Sequence, residues 1–194
     1  MKPLRSSIFN MVIVLTLLAA GIGALLGWVH DFTAGPIAES VASQRADALA
    51  RVLSDPCLHP PGEAVEYPQY HSVLYPVEDC DGILIGVAVE VFTDEGFGGR
   101  ISLMVGFEPS GLISGYSVLS HAETPGLGAK MDTWFRGLSG RDIIGTESPL
   151  AVRRDGGGID AITGATITSR AFLGAVNDAR RAFETYIKDN SSEI

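Results

Sequence analysis

The chain opens on an unbroken apolar run. From Ile8 to Val29 no charged residue occurs, and Asn10 and Thr16 are its clearly polar members. As a helix the run spans about 33 Å, close to the hydrocarbon thickness of a bilayer, which predicts a transmembrane helix over residues 8–29. Lys2 and Arg5 precede it, and no other Lys or Arg occurs until Arg45. The bias of basic residues toward the cytoplasmic side places residues 1–7 in the cytoplasm and the bulk of the chain outside it. A cleaved signal peptide has a shorter apolar stretch followed by a small-residue cleavage site. Here the run is longer and no such site follows it, so a retained single-pass anchor in the cell (inner) membrane is expected.

Beyond the anchor the pattern changes three times. Gly35-Pro36 interrupts it, and residues 37–53 then carry Ile37, Val41, Leu49, Val52 and Leu53 among alanines and charges, a helical spacing. Asp55-Pro56 and Pro60-Pro61-Gly62 end that stretch, giving a linking helix over 30–60. From residue 61 onward a period of two takes over. Val73–Val77 is a short strand candidate, and Ile85, Val87, Val89 and Val91 alternate with Gly86, Ala88 and Glu90. Strand patterns over Arg100–Phe107 and Leu112–Leu119 follow, joined by glycine and proline turns, which predicts an antiparallel meander. A loop over 120–130, a short helix near 132–138 and a last strand at Pro149–Val152 complete the middle. Finally, Phe172, Ala175, Val176, Ala179, Phe183, Tyr186 and Ile187 recur at three- and four-residue spacing, an amphipathic helix with a core-facing stripe. The fold class is α+β: one transmembrane helix, then one domain over 61–194 with a mainly antiparallel sheet packed by helices.

Charge narrows the functions. The formal net charge is −9, and all 23 acidic residues lie after the apolar run. That excludes nucleic acid as a partner and adsorption to anionic lipid as the main means of attachment. The 2 cysteines, Cys57 and Cys80, fit no common zinc or haem spacing, so no metal site is expected. Outside the cytoplasm they can form a disulfide, worth about 3 kcal/mol for a loop of that size, or stand as two free thiols.

The run Asp160-Ala161-Ile162-Thr163-Gly164-Ala165-Thr166-Ile167-Thr168-Ser169 carries the most chemistry. Small residues there let backbone amides approach a phosphate group, and the start of a helix favours negative charge. The same residues serve equally as a turn and N-cap, with Thr166, Thr168 or Ser169 satisfying the first free amides. No GxGxxG and no lysine of the P-loop type accompanies it. The stretch Asp160–Thr166 resembles the flavinylation motif Asp-x-x-Ser/Thr-Gly-Ala-Thr. The segment Ser120-His121-Ala122-Glu123-Thr124-Pro125-Gly126-Leu127-Gly128-Ala129-Lys130 resembles a loop found in two related families. One is the G subunit of the Rnf ion-translocating electron transport complex, the other the C subunit of the sodium-pumping NADH:quinone reductase. On its own residues that loop is a polar turn shaped by Pro125 and the glycines.

The resemblance spans the anchor, the meander and the final helix, and the chain length favours the Rnf family. It implies an FMN-binding domain with FMN held covalently, as a phosphoester to Thr166, placed there by a flavin transferase using FAD. It implies that Thr163, Gly164 and Ala165 contact the phosphate, with Thr168 beside them, and that Glu123, Thr124, Pro125, Gly126 and Leu127 line the ring. Asp160 serves the transferase or holds the turn, and Lys130 is a charge partner near the flavin. The implied function is electron relay within an ion-translocating ferredoxin:NAD+ oxidoreductase, with the other Rnf subunits as partners. The chain has no cysteine cluster for iron–sulfur ligation and no complete activity alone. The alternatives are the quinone-reductase family and a membrane-tethered flavin sensor. For the cysteines, thiol titration of the unfolded, unreduced protein is expected to find no reactive group; two reactive groups exclude the bridge.

Overall fold

The structure, a computed structural model, describes residues 8–53, 63–78, 83–138 and 149–190. They fall into two compact units that divide between Ser43 and Gln44. The described residues of the first unit are all helical. Helix α1 runs Ile8–Val52 without a break, and its N-terminal part is long and apolar enough to cross a membrane. Ile8, Leu17, Leu26, Trp28 and Phe32 all stand exposed along it. Thr33 returns its hydroxyl to the Val29 carbonyl at 2.8 Å, so its polar group is satisfied within the helix. The interruption expected at Gly35-Pro36 does not occur, because Pro36 lies inside α1. Proline withholds one amide from the ladder. The alanines and long polar residues that follow Pro36 are strong helix formers and carry the helix past it.

The second unit is an antiparallel meander. Strands β1 (Val65–Tyr67), β2 (Ser72–Glu78), β3 (Leu84–Thr93), β4 (Ile101–Phe107) and β5 (Ile113–His121) pair in sequence order, β1-β2-β3-β4-β5. Strand β1 is absent from the sequence-based expectation: three residues are too few to show alternation. Pro76 sits within β2 opposite Val87, beyond the three positions where β1 pairs, so its missing amide breaks no ladder. The strand expected at Pro149–Val152 reduces to a single parallel bridge, Val152 to Ile159.

Period two sorts the sheet into faces. Val87, Val89 and Val91 of β3 and Ile101, Leu103, Val105 and Phe107 of β4 point into the main core. That core is closed by helix α3 (Thr166–Asn190), longer than its apolar stripe because it begins at Thr166. Phe172 is fully buried between Phe135, with ring centroids 4.5 Å apart, and Tyr116 at 5.0 Å; Phe107 stacks on Phe183 at 4.9 Å. Short helix α2 (Met131–Trp134) and a 3-10 turn (Arg136–Leu138) lie beneath Tyr116, whose hydroxyl donates to the Met131 carbonyl at 2.7 Å. Burial pushes that phenol up to about 12.

The opposite face receives the last turns of α1. Ala48, Leu49, Val52 and Leu53 are buried against Val77, Ala88 and Met104. Glycines on the sheet make room for them. A Cβ on Gly106 would stand 2.6 Å from the Val52 carbonyl oxygen and 2.9 Å from the Val52 Cβ. A Cβ on Gly86 would stand 2.6 Å from a Leu53 methyl. Ser114 donates its hydroxyl to the Val52 carbonyl, which helps satisfy the end of α1. Gly106→Val is therefore expected to lift the end of α1 off the sheet and cost roughly 1–3 kcal/mol, the overpacking range. Thermal unfolding of the detergent-solubilised chain checks this, and an unchanged Tm rules the close approach out.

Candidate functional site

Three loops and one helix start meet at the end of the sheet formed by the β3–β4 turn. The turn itself is stiffened by Arg100, which grips Asp94 through two hydrogen bonds of 2.8 and 3.0 Å and lies over the Phe92 ring at 4.1 Å. That grip holds the Asp94 carboxyl below the usual carboxylate range. It leaves Phe97 at the tip, 69% exposed. Gly98 passes so near the loop after β5 that a Cβ would fall 2.0 Å from the Ala122 carbonyl oxygen. Its amide donates to Glu123 Oε1 at 3.1 Å.

The loop after β5 folds on itself. The Leu127 and Ala129 amides both donate to the Thr124 carbonyl, at 3.2 and 3.3 Å, and the Lys130 amide to the Leu127 carbonyl at 3.1 Å. His121 accepts the Glu123 amide on Nδ1 at 3.2 Å, a local bond that holds the loop's entry. The loop thereby buries Glu123, which is 6% exposed, and aims it at helix α3. Thr168 donates its hydroxyl to Glu123 Oε2 at 2.7 Å.

The start of α3 is set by a turn and by one serine. Ile162-Thr163-Gly164-Ala165 closes with the Ala165 amide on the Ile162 carbonyl at 2.9 Å, and Gly164 sits at φ +79°, as the third residue of a type II turn requires. Ser169 accepts the Ile162 amide and donates to the Ala165 carbonyl, both at 2.9 Å. Asp155, from the preceding loop, is gripped by Arg170 of the first turn of α3 at 2.6 and 2.7 Å. Helix α3 thus starts at Thr166 on a fixed platform. The amides of its first turn have no carbonyl four residues back inside the helix, and its dipole is positive at that end.

These pieces enclose a cleft of about 370 Å³. Phe97, Thr124, Leu127 and Ile167 form its apolar and open side; Glu123, Gly128 and Thr168 form its floor; Gly164, Ala165 and Thr166 close the end at α3. Phe97, Leu127 and Ile167 are 69, 42 and 50% exposed, an apolar rim around a polar floor. The hydroxyls of the motif are sorted by burial. Thr168 and Ser169 are buried at 1 and 0% and engaged as described, Thr163 is exposed outside the cleft lining, and Thr166 is half-buried on its wall.

Of the residues singled out in the sequence, Glu123, Thr124, Leu127, Gly164, Ala165, Thr166 and Thr168 come together here. Pro125 and Gly126 stand on the exposed outer side of the loop, and Lys130 is exposed beyond it. Asp160 faces another hollow, where its carboxylate pairs with Arg153 at 2.6 Å and its carbonyl accepts Trp134 Nε1–H at 2.9 Å. Phe97, Gly128 and Ile167 are site residues that the sequence does not single out. Gly128 is the most constrained of the three, since a Cβ there would stand 2.5 Å from Glu123 Oε2 and 2.8 Å from Thr168 Oγ1. Cys57 and Cys80 lie outside the described residues.

Residues 96–181, which contain the whole cleft, match the FMN-binding domain family, so this part of the chain is an FMN-binding domain. Similar proteins include the G subunit of the ion-translocating oxidoreductase complex from Yersinia pestis, 34% identical over 89% of this chain and 88% of that protein. The corresponding protein of Cereibacter sphaeroides is 34% identical over 84% of this chain and 78% of its own. The chain belongs to the family of G subunits of the ion-translocating oxidoreductase complex. Against other relatives the match is shorter: with the G subunit of Aliivibrio fischeri it is 41% identical over 52% of this chain, and the chain spans about half (50%) of that relative. Among solved structures, the crystal structure of Shewanella oneidensis NqrC matches with a TM-score of 0.46 and 26% identity, over 62% of this chain and 64% of that one.

Gly128→Ala is expected to push Glu123 and Thr168 apart, with a loss of roughly 1–3 kcal/mol. Denaturant unfolding measures it; a stability equal to wild type contradicts the packing described for Glu123.

Proposed function

We propose that this chain is a membrane-anchored electron carrier that holds FMN as a phosphoester on Thr166 and serves as the G subunit of an ion-translocating oxidoreductase complex. The observation that carries the proposal is the sorting of hydroxyls: Thr166 is the motif residue that both lines the cleft and keeps its side chain partly open to solvent. The residues fit the group. A phosphoryl at Thr166 meets the free amides that begin α3, where the helix dipole favours negative charge. The rim of Phe97, Leu127 and Ile167 offers apolar surface to a flat ring, and Gly164 keeps the turn slim beside Leu127, where a Cβ would stand 3.3 Å from its Cδ2.

Attachment forms a bond between Thr166 Oγ1 and the flavin phosphorus as the pyrophosphate of FAD breaks. AMP leaves, and the hydroxyl proton passes to the flavin transferase that catalyses the step. FMN supplies the electron-accepting chemistry; the chain supplies position, a shaped wall and charge. In this reading residues 8–29 cross the membrane with 1–7 in the cytoplasm, 30–60 link, and 61–194 hold the flavin on the extracytoplasmic side. A covalent link suits that side, where a dissociable FMN is lost by dilution. The other subunits of the complex deliver and accept the electrons.

Co-expressed with a flavin transferase, the full chain is expected to show flavin fluorescence that survives a denaturing gel, and Thr166→Val to abolish it. Equal labelling of Thr166→Val sinks the assignment. Membranes carrying Thr166→Val are further expected to lose ferredoxin-dependent NAD+ reduction; unchanged flux favours a sensor over a carrier.

A further inference from the structure

Glu123 is the one acidic residue among the buried polar side chains of the described residues. Burying a carboxylate costs several kcal/mol unless the charge is compensated, and proteins ordinarily bring a cation to it. Here none of the described ion pairs includes Glu123. Its compensation is neutral: the Gly98 amide on Oε1 at 3.1 Å and the Thr168 hydroxyl on Oε2 at 2.7 Å. Each carboxyl oxygen thus has one neutral hydrogen-bond partner. The nearby Lys130 is exposed and is not part of the cleft lining. A buried carboxyl group that none of the described ion pairs includes therefore lines the same cleft as Thr166.

We infer that Glu123 sets the redox potential of the flavin held in this cleft, by opposing the charge that reduction adds to the ring. The inference rests on the FMN reading above and deepens it. Each electron that arrives brings one negative charge, and a fixed carboxylate on the wall raises the energy of that charge unless a proton follows from solvent. The low dielectric around a buried group makes this field stronger than that of any surface acid. Glu123 is thus a positioning and tuning residue: it ties the β3–β4 turn to α3 and biases the cofactor toward the oxidised state.

Two substitutions move the field in opposite directions. Glu123→Gln removes the charge with little change of shape: the amide oxygen accepts Gly98 N–H, and the amide nitrogen donates to Thr168 Oγ1, whose proton turns elsewhere. Thr168→Val keeps the charge and deletes one of its two donors. The experiment is a spectroscopic redox titration of full-length protein, flavinylated by co-expression with a flavin transferase, at mildly alkaline pH. Potentials are read on the labelled fraction of each variant. In Glu123→Gln the midpoint is expected to move in the positive direction, raising the reduced-to-oxidised ratio at fixed potential by at least about fivefold. In Thr168→Val it is expected to move in the negative direction. A purely structural role gives no such opposition of sign. Midpoints that stay at the wild-type value, or that shift the same way in both variants, overturn the inference while leaving the FMN reading intact. Should Glu123→Gln fail to fold, Thr168→Val decides, because a positive or absent shift there is contrary to the proposal. Wild-type protein that carries no denaturation-resistant flavin removes the FMN reading, and this inference falls with it.

Discussion

The hydrogen bond from Thr168 to the buried carboxylate of Glu123 is the constraint on which the site depends. It joins residues 45 positions apart in the chain, and the companion bond from Gly98 joins residues 25 apart. Through one side chain the β3–β4 turn, the loop after β5 and the first turn of α3 acquire fixed relative positions. A buried, hydrogen-bonded charge is an exacting fastener: losing either partner leaves the carboxylate partly uncompensated, a penalty that grows in a low dielectric. The glycines around it follow from that demand. Gly96 and Gly128 carry no side chain because a Cβ would stand 2.8 and 2.5 Å from the Glu123 oxygens.

The rest of the cleft is organised around a division of labour among hydroxyls. Ser169 locks the turn that precedes α3, and Thr168 anchors α3 to Glu123. Each does structural work that Thr166, at the start of the same helical turn, is spared. Three hydroxyl residues within four positions thus differ in exposure and in partners, although their side chains are chemically near-equivalent. Burial, and not nucleophilicity, separates them.

Much of this was legible in the sequence, and what was not had physical reasons. The alternation of Val87, Val89 and Val91 against Gly86, Ala88 and Glu90 marked out the two faces of the meander, and the apolar stripe from Phe172 to Ile187 marked the inner face of α3. Strand β1 was too short to alternate, and the residues at Pro149–Val152 looked like a strand because apolar content does not distinguish a strand from a single bridge. Gly35-Pro36 carries the composition of a break, yet a long helix absorbs one missing amide. Among site residues, the motif drew attention to Thr166 and Thr168, and the loop to Glu123 and Leu127. Phe97 and Ile167 escaped because each is an isolated apolar residue among polar or small ones, and only the fold shows that both overlook one cleft. The burial of Glu123 was equally hidden: in sequence it stands between an alanine and a threonine in a polar loop, where an acid is ordinarily solvated.

The meander has one further consequence, for the order in which the chain is finished. Neighbouring strands pair through short turns, so most of the sheet is assembled from local contacts, which form early and cheaply. The cleft is different. Its walls come from 97, 123–124, 127–128 and 164–168, and they meet only when α3 has packed across the strands. Half-folded chains therefore possess the motif but lack the cavity. Any ligand or enzyme that requires the cavity distinguishes finished molecules from unfinished ones, and the site acts as its own test of maturity.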